Sequence, residues 1–346
     1  MKKAIFVKPG KIVLQEADKP TIQAPDDVII KTVRASVCGS DLWSYRGITP
    51  KEENSDNTGH EAIGVVEAIG EDITTVKPGD FVIAPFVHGC GQCAACRAGF
   101  EGGCLAHKDN YSGANQAEYI RYQHGQWALI KIPGKPTDYT DKMLASLQAL
   151  SDVMPTGYHA ARVAQVEKGD TVAVVGDGAV GLCAVISAKL RGAKRIIIMS
   201  RHADRQALAK EFGATDVVEQ RGDEGVKKVL ELTHGQGADA VLECVGTKLS
   251  VETALQIGRA GAIVGRVGVP HDAMFDLGKL FSRNVIIAGG PASVTTYDKQ
   301  LLLQAVLDGV INPGKIFTKT YPLTEIQAAY ESMDKREVIK SLLKMN

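Results

Sequence analysis

Residues 171–181 read Thr-Val-Ala-Val-Val-Gly-Asp-Gly-Ala-Val-Gly, and this stretch decides the fold of the 346-residue chain. Four of its first five residues are apolar, and an apolar run with helical spacing follows at 182–186. The pattern predicts a buried strand, a tight turn and a helix. Gly176 and Gly178 would let the backbone turn and approach a pyrophosphate at the helix N-terminus, and Gly181 would let the helix pack closely on the strand. An ordinary glycine-rich loop has the same spacing, so the motif alone leaves both interpretations open.

The residues that follow this turn alternate between strand and helix patterns. Strands are predicted at 194–200, 216–219, 240–245, 262–268 and 284–288, and helices at 204–212, 223–233 and 249–259. Such alternation predicts a doubly wound parallel sheet, which makes the glycine turn a dinucleotide site. The residues expected to bind the cofactor are Gly176, Gly178, Ala179, Val180, Gly181, Ser200, Arg201, Arg205, Val245 and Gly268.

The composition sets limits on function. Forty basic residues balance forty acidic ones, and 45% of the chain is hydrophobic. We therefore expect a large core in two domains, with no nucleic-acid or membrane partner. The N-terminal apolar run at 4–7 is too short for a secretory signal, and no stretch is long enough to span a bilayer. Four of the seven cysteines lie within 15 residues, which favours metal binding in a reducing cytoplasm over a disulfide framework.

The first 37 residues contain short runs of alternating apolar and polar residues, typical of antiparallel strands in a barrel-like region. Cys38-Gly39-Ser40-Asp41 follows, and then the run Gly59-His60-Glu61-x2-Gly64-x5-Gly70. A single cysteine or histidine is usually a packing residue. The long run, however, resembles the signature of the zinc-dependent medium-chain alcohol dehydrogenase family, and the resemblance covers essentially the whole chain.

This resemblance implies a GroES-like, mostly antiparallel β catalytic domain joined to a Rossmann domain. The catalytic domain would comprise residues 1–153 and 291–346, with a structural-zinc lobe at about 88–106, and residues 154–290 would bind the cofactor. Cys38 and His60 would be ligands of a catalytic zinc, with Glu61 as an adjacent carboxylate and Asp41 orienting His60. A catalytic zinc needs three such ligands and one open position, and a ligating imidazole usually donates its other N–H to a carboxylate.

The third ligand of this zinc is expected to be Asp152. Many family members use a second cysteine before the cofactor domain, but this chain has Ser151-Asp152-Val153-Met154-Pro155 there. That segment looks like the branch of the family that uses aspartate. Glu61 is the main alternative ligand, and a helix N-cap is an alternative role for Asp152.

The spacing Cys90-x2-Cys93-x2-Cys96-x7-Cys104 predicts a closed tetrahedral zinc site with a structural role. An iron–sulfur cluster and disulfides are the alternatives. The remaining two cysteines, Cys183 and Cys244, are expected to be buried and inert. Six histidines are left as surface or packing residues: His88, His107, His124, His159, His234 and His271.

The end of the second strand of the cofactor domain predicts which nicotinamide cofactor binds. An acidic residue there would bond the ribose hydroxyls of NAD, whereas this chain has Ser200-Arg201-His202 and then Arg205. A hydroxyl and guanidinium groups suit a 2′-phosphate, so NADP(H) is predicted. In the alternative, Asp204 binds NAD and the arginines are solvated.

The implied activity is hydride transfer between NADP(H) and a small alcohol or polyol, or the matching aldehyde or ketone. Ser40 would bond the substrate oxygen, but the position of the next relay histidine in better-known relatives holds Trp43, whose indole cannot relay a proton. Trp43, Phe86 and Tyr111 are candidate pocket walls. Relatives are dimers or tetramers, and the same is expected here. One alternative is an NAD-linked polyol, threonine or formaldehyde dehydrogenase. Another is a non-catalytic nicotinamide-binding protein. The intact zinc ligands disfavour this binding protein, and they also disfavour a zinc-free quinone reductase.

Overall fold

The computed structural model describes residues 1–107, 110–270, 277–292 and 296–345, so His271 lies outside the described residues. The chain forms two units. One comprises Met1–Asp152 and Val294–Asn346, and the other comprises Val153–Ser293. None of the helices in the described ranges is both long and apolar enough to cross a membrane.

The described strands are β1 (Lys2–Lys8), β2 (Lys11–Glu16), β3 (Val28–Ser36), β4 (Ala62–Ile69), β5 (Phe81–Ala84), β6 (Tyr119–Tyr122), β7 (Ile130–Ile132), β8 (Thr171–Val175), β9 (Arg195–Met199), β10 (Asp216–Val218), β11 (Ala238–Glu243), β12 (Gly258–Arg266), β13 (Ile286–Gly289), β14 (Phe317–Pro322) and β15 (Lys340–Lys344).

The described α-helices are α1 (Asp41–Tyr45), α2 (Ala94–Arg97), α3 (Gly125–Ala128), α4 (Asp141–Ala149), α5 (Val153–Val163), α6 (Ala179–Leu190), α7 (Ala203–Phe212), α8 (Gly222–Leu232), α9 (Lys248–Ile257), α10 (Leu277–Arg283), α11 (Thr296–Leu307) and α12 (Ile326–Asp334). Short 3₁₀ helices lie at Glu101–Gly103, Pro136–Asp138, Pro313–Ile316 and Leu323–Glu325.

The unit Val153–Ser293 is built on a six-stranded parallel sheet in the order β10-β9-β8-β11-β12-β13. This is the strand order of a doubly wound dinucleotide-binding fold, with the reversal of strand order beside β8. Residues 172–175 of β8 are buried because the strand is central and helices cover both faces of such a sheet. The parallel sheet predicted from the alternating pattern is therefore confirmed.

The other unit contains the β1–β2 hairpin and a seven-stranded sheet in the order β14-β15-β3-β4-β5-β7, with β6 also paired to β3. Most of its pairings are antiparallel, as the alternating patterns predict. The last strand, β15, lies between β14 and β3, with Leu342 opposite Ser36. The C-terminal segment is thus an internal part of this sheet.

Element boundaries differ from the predicted ones at the far end of the parallel sheet. The predicted helix at 249–259 ends at Ile257, and β12 already begins at Gly258. The predicted strand at 284–288 begins only at Ile286, since Asn284 has a positive φ of 52°. The C-terminal segment 338–344 contains strand β15.

Candidate active site and metal centres

Four donor side chains converge in the unit that contains β3 and β4. Cys38 follows β3, and His60 and Glu61 immediately precede β4, whose Ala62 pairs with Ala35 of β3. Asp152 lies one residue before α5. One donor atom from each of the four side chains lies within 4.8 Å of every other. The antiparallel register therefore places Cys38 beside His60, and Asp152 joins them from the end of the segment after α4.

The separations of these donors suit a tetrahedral zinc ion. Cys38 Sγ lies 3.3 Å from Asp152 Oδ2, and His60 Nε2 lies 3.3 Å from the same oxygen. Ligands at zinc–ligand distances of 2.0–2.3 Å and tetrahedral angles are separated by roughly 3.3–3.7 Å. One thiolate, one imidazole and one carboxylate are also ligand types that zinc accepts. The residues present fit a catalytic zinc.

The ionisable donors affect one another strongly. Burial raises the pKa of the Cys38 thiol, and the Asp152 carboxylate adds to this effect. Burial opposes protonation of His60, but the charges of Asp41 and Cys38 raise its pKa well above the usual value. Burial likewise disfavours the Asp152 carboxylate, yet its hydrogen bond with His60 lowers the pKa of Asp152. Several anionic donors thus share one imidazole, an arrangement whose charge a divalent cation would neutralise.

Lys340 and Ser36 hold the Glu61 carboxylate. Its Oε1 accepts a 2.7 Å bond from Lys340 Nζ, and these side chains are 0% and 1% exposed. Its Oε2 accepts a hydrogen bond from Ser36 Oγ, and Gln148 Nε2 donates to that hydroxyl at 2.9 Å. Glu61 Oε1 is 3.9 Å from His60 Nε2, farther than Asp152 Oδ2. This network favours Asp152 over Glu61 as the third donor.

Asp41 and Phe86 flank His60. Asp41 Oδ1 lies 3.6 Å from His60 Nδ1, and Oδ2 accepts a 2.9 Å bond from the Cys38 amide. The Phe86 ring lies 5.8 Å from the His60 ring and 6.4 Å from the Tyr111 ring. Ser40 is half-buried, and its hydroxyl does not cap helix α1. Asp41 therefore contacts both neighbouring donor residues, and Phe86 packs beside His60 and Tyr111.

The four clustered cysteines form a second donor group. Cys90 Sγ is 4.0 Å from Cys96 Sγ, and Cys93 Sγ is 3.9 Å from Cys104 Sγ. A tetrahedral zinc with 2.3 Å bonds requires sulfur separations of roughly 3.8 Å. All seven cysteines of the chain are free thiols. The lobe therefore fits a closed zinc site, and these two sulfur pairs are too far apart to be disulfides.

Backbone amides point at the sulfur atoms of this lobe. The amides of Gln92 and Cys93 donate to Cys90 Sγ at 3.4 and 3.3 Å. Hydrogen bonds from the backbone of Cys96 and Leu105 lower the pKa of Cys93 to about 6, whereas burial raises the pKa of Cys96 to about 12. Amide donors of this kind stabilise thiolates, the form of cysteine that binds metal.

The glycine turn has the geometry that a dinucleotide site needs. Gly176 has a φ of +113°, a conformation that side chains disfavour. A Cβ at Gly181 would lie 2.0 Å from the Gly176 carbonyl oxygen. Gly178 precedes the 12-residue helix α6, and a Cβ there would meet no atom within 4 Å. The turn therefore leaves open space at a helix N-terminus, which fits a pyrophosphate.

Val245 and Gly268 follow β11 and β12, the strands next to β8 on one side of the sheet. A Cβ on Gly176 would lie 2.6 Å from Val245 Cγ2, and one on Gly268 would lie 2.7 Å from the Val245 amide nitrogen. Buried Glu243 holds this loop, because its Oε1 accepts bonds from the amides of Val245 and Gly246 at 2.9 and 2.7 Å. The structure thus brings these predicted cofactor residues together at the carboxyl edge of the sheet.

Asp177, inside the glycine turn, engages two of the residues predicted to bind a phosphate. Ser200 Oγ donates to Asp177 Oδ2 at 2.8 Å, and Arg205 Nη1 lies 3.2 Å from Asp177 Oδ1. Asp177 is 8% exposed and Arg201 is exposed. The predicted hydroxyl and guanidinium do lie together, but a carboxylate stands between them.

Sequence reasoning missed four residues of these sites. Lys340, Ser36 and Gln148 support Glu61 from segments far apart in sequence, and no local pattern marks them. Asp177 could have been noticed, because an acidic side chain inside a phosphate-binding turn is unusual chemistry. The expectation that Cys244 is buried was wrong, since it is only half-buried, whereas Cys183 is fully buried.

Comparisons with known proteins agree with this architecture. Residues 24–134 match the family model of the alcohol dehydrogenase GroES-like domain, and residues 179–304 match that of the zinc-binding dehydrogenase. A zinc-type alcohol dehydrogenase-like protein, AdhB, of Bacillus subtilis (strain 168) is 32% identical over 99% of this chain and 100% of its own length.

Two solved structures are similar over the whole chain. The alcohol dehydrogenase TADH from Thermus sp. ATN1 has a TM-score of 0.89 and 31% identity, with 100% of each chain covered. The apo form of zinc-dependent alcohol dehydrogenase 2 from Streptococcus pneumonia has a TM-score of 0.89 and 32% identity, covering 100% of this chain and 99% of the other.

Proposed function

Because this chain belongs to the zinc-type alcohol dehydrogenase family, we propose that it is a zinc-dependent oxidoreductase for a small alcohol or polyol and the matching aldehyde or ketone. The observation that carries the proposal is the convergence of Cys38, His60 and Asp152 at separations suited to one zinc ion. Three protein ligands leave the fourth tetrahedral position for substrate, which distinguishes a catalytic site from a structural one. The cysteine lobe would hold the second zinc of the chain.

Zinc, when bound, would polarise the substrate oxygen while the nicotinamide exchanges hydride with the substrate carbon. Orientation of the ligands and proton transfer depend on residues of this chain. Asp41 lies beside the His60 ring and would orient it, and the Lys340 ammonium holds Glu61 Oε1. We assign to the Ser40 hydroxyl the role of accepting the proton of a substrate alcohol and passing it to water, because the Trp43 indole cannot relay it. Phe86 and Tyr111 would form one wall of the substrate pocket.

The test pairs two cysteine variants with metal analysis. Turnover is followed by nicotinamide absorbance on a panel of short alcohols, polyols, aldehydes and ketones, and bound zinc is counted by mass spectrometry. Cys38→Ser and Cys93→Ser should each lose one zinc ion, but only Cys38→Ser should abolish turnover of a folded protein. Equal loss of activity in both variants, or turnover that survives Cys38→Ser, would refute the assignment. Zinc-loaded wild-type protein without turnover on the whole panel would favour the non-catalytic alternative.

We further propose NADP(H) as the cofactor, with Ser200, Arg201 and Arg205 around the 2′-phosphate. Arg205 and the exposed Arg201 supply positive charge, and guanidinium groups bind phosphate oxygens in a fork. The Asp177 carboxylate favours NAD(H) as a second candidate, since it can accept a bond from a ribose hydroxyl and repels phosphate.

Two variants separate these candidates. If NADP(H) is the cofactor, Arg205→Ala should lower kcat/KM for NADPH by about ten-fold or more while leaving that for NADH within two-fold. If NAD(H) is the cofactor, Arg205→Ala should change little, and Asp177→Asn should shift the preference towards NADPH. An NAD(H) preference would also favour the alternative that the chain is a polyol, threonine or formaldehyde dehydrogenase.

Self-association into a homodimer or homotetramer is also proposed. Strand β13 ends the described parallel sheet, and the nearby side chains of Leu277, Phe281 and Ile286 are 71%, 86% and 52% exposed. An open edge with apolar neighbours is a ready pairing surface for a second copy. Light scattering should show a smaller assembly for Phe281→Glu and no change for Val310→Glu, an apolar site in the other unit that is 64% exposed. The cytoplasm is the proposed compartment, because both zinc sites need reduced thiols.

A further inference from the structure

A third group of metal-type donors lies outside the two zinc sites. Asp26, His107 and His124 each offer one donor atom within 4.8 Å of the others, and all three side chains are half-buried. Sequence reasoning left both histidines as surface or packing residues. The proposed dehydrogenase activity requires none of these three side chains.

The register of two strands brings Asp26 and His124 together. Val28 of β3 stands opposite Tyr122 of β6, so the same antiparallel register extended by two residues places Asp26 opposite His124. The Gly125 amide donates to the Asp26 carbonyl at 2.9 Å and closes this end of the pairing. His124 Nδ1 lies 2.6 Å from Asp26 Oδ2. The turns next to β3 and β6 therefore hold the carboxylate beside one imidazole.

His107 reaches the pair from the cysteine lobe, three residues after Cys104. Its ring stacks on the His124 ring with centroids 3.3 Å apart and an interplanar angle of 14°. The buried His88 ring packs near the His124 ring, with the two centroids 5.2 Å apart. Two imidazoles and one carboxylate are brought together from three separate segments.

We propose that Asp26, His107 and His124 form a binding site for a divalent transition-metal ion of the zinc, nickel or copper class. Imidazole nitrogen with carboxylate oxygen is the donor set these ions prefer, and a set without thiolate disfavours the softer metals. The in-plane lone pairs of parallel rings do not converge, so binding requires the half-buried His107 side chain to rotate. Three protein donors leave further positions to water, which makes the site exchangeable. Bound metal would tie the end of the cysteine lobe to the β3–β6 edge.

The experiment titrates Ni²⁺ into the purified full-length protein with its resident zinc retained, using calorimetry and zinc analysis of the same sample. Wild-type protein should bind one equivalent of Ni²⁺ without releasing zinc. His107→Gln and Asp26→Asn should each weaken binding by about ten-fold or more, the size expected even for loss of a supporting residue. His234→Ala, which removes an exposed histidine of the other unit, should leave binding unchanged.

Cobalt supplies a second readout that does not depend on the variants. Co²⁺ at this site should give weak visible bands without the thiolate-to-cobalt charge-transfer absorption that exchange into either cysteine-containing site would produce. Nickel should also raise the Tm of wild-type protein but not that of His107→Gln. Unsaturable Ni²⁺ binding, thiolate charge transfer, or equal binding by His107→Gln would each overturn the proposal. Turnover is not read, so failure here leaves the proposed dehydrogenase function untouched.

Discussion

Replacing Lys340 by methionine tests the buried pair behind the proposed catalytic site. The Lys340 ammonium donates to Glu61 Oε1 at 2.7 Å and to the Val37 carbonyl at 3.0 Å, and neither charged side chain is more than 1% exposed. Methionine fills a similar volume but leaves the Glu61 carboxylate with only neutral donors. Removing one partner of a buried ion pair costs about 3–5 kcal/mol of unfolding free energy. For a unit of this size that lowers Tm by roughly 6–20 °C.

The loss should grow as the pH rises. Burial raises the pKa of Glu61 even with Lys340 present, and Lys340→Met removes the nearest opposing charge. A carboxyl whose pKa is higher in the folded than in the unfolded state binds more protons when folded, so stability falls with pH above the unfolded pKa of about 4.3. The variant should therefore be closest to wild type near that pH and farthest from it at neutral pH.

Urea unfolding at several pH values measures this effect, with Lys344→Met as the matched control. Lys344 is 53% exposed and lies 3.9 Å from Asp141, so its loss should cost less than about 1 kcal/mol. The double variant Glu61→Gln/Lys340→Met should recover part of the loss and remove its pH dependence. A cost under 1 kcal/mol for Lys340→Met, or a double variant no better than the single one, would refute the reasoning.

Three further predictions address other parts of the chain. Gly181→Ala should weaken nicotinamide binding, measured by fluorescence titration, and lower Tm, because its Cβ would lie 2.0 Å from the Gly176 carbonyl oxygen. The two-pronged bond from Arg195 lowers the pKa of Asp216, so its stabilisation is fully present above the ordinary carboxyl pKa and is lost as the pH falls through the lower folded pKa. Urea unfolding of wild type and Asp216→Asn should therefore differ most at about pH 6, and the difference should shrink as the pH falls below the ordinary carboxyl pKa. Ser40→Ala should reduce kcat by about 10²-fold with zinc content unchanged, and unaltered kcat would remove Ser40 from the proton path.

The fold was predictable because its signals are local. The apolar run before Gly176 and the regular alternation after it predict parallel strands and helices, since buried strands and amphipathic helices leave different periodicities. The spacing of Cys90, Cys93, Cys96 and Cys104 is local as well, and one short lobe does bring the four thiols together. Boundaries near β12 and β13 were less predictable, because short apolar runs suit either element.

The details of the candidate sites depend on contacts between distant residues. No local pattern indicates that Lys340 would meet Glu61, because the pairing of β15 with β3 brings them together. In the same way, the pairing of β3 with β6 brings Asp26 close to His124. Only the tertiary arrangement determines whether Arg205 faces solvent, phosphate or the Asp177 carboxylate.

The position of β15 has a consequence for synthesis of the protein. The cysteine lobe spans residues 90–104, so a ribosome-bound chain can load its zinc early, whereas the strand beside Cys38 is supplied by residues 340–344. The nascent catalytic unit must therefore wait, with one side of β3 unpaired, while the contiguous 153–293 unit emerges and folds. Chains released before residue 340 would lack both the neighbouring strand and the ammonium that partners Glu61. Such chains would contain a complete cofactor domain and still expose the unpaired edge of β3.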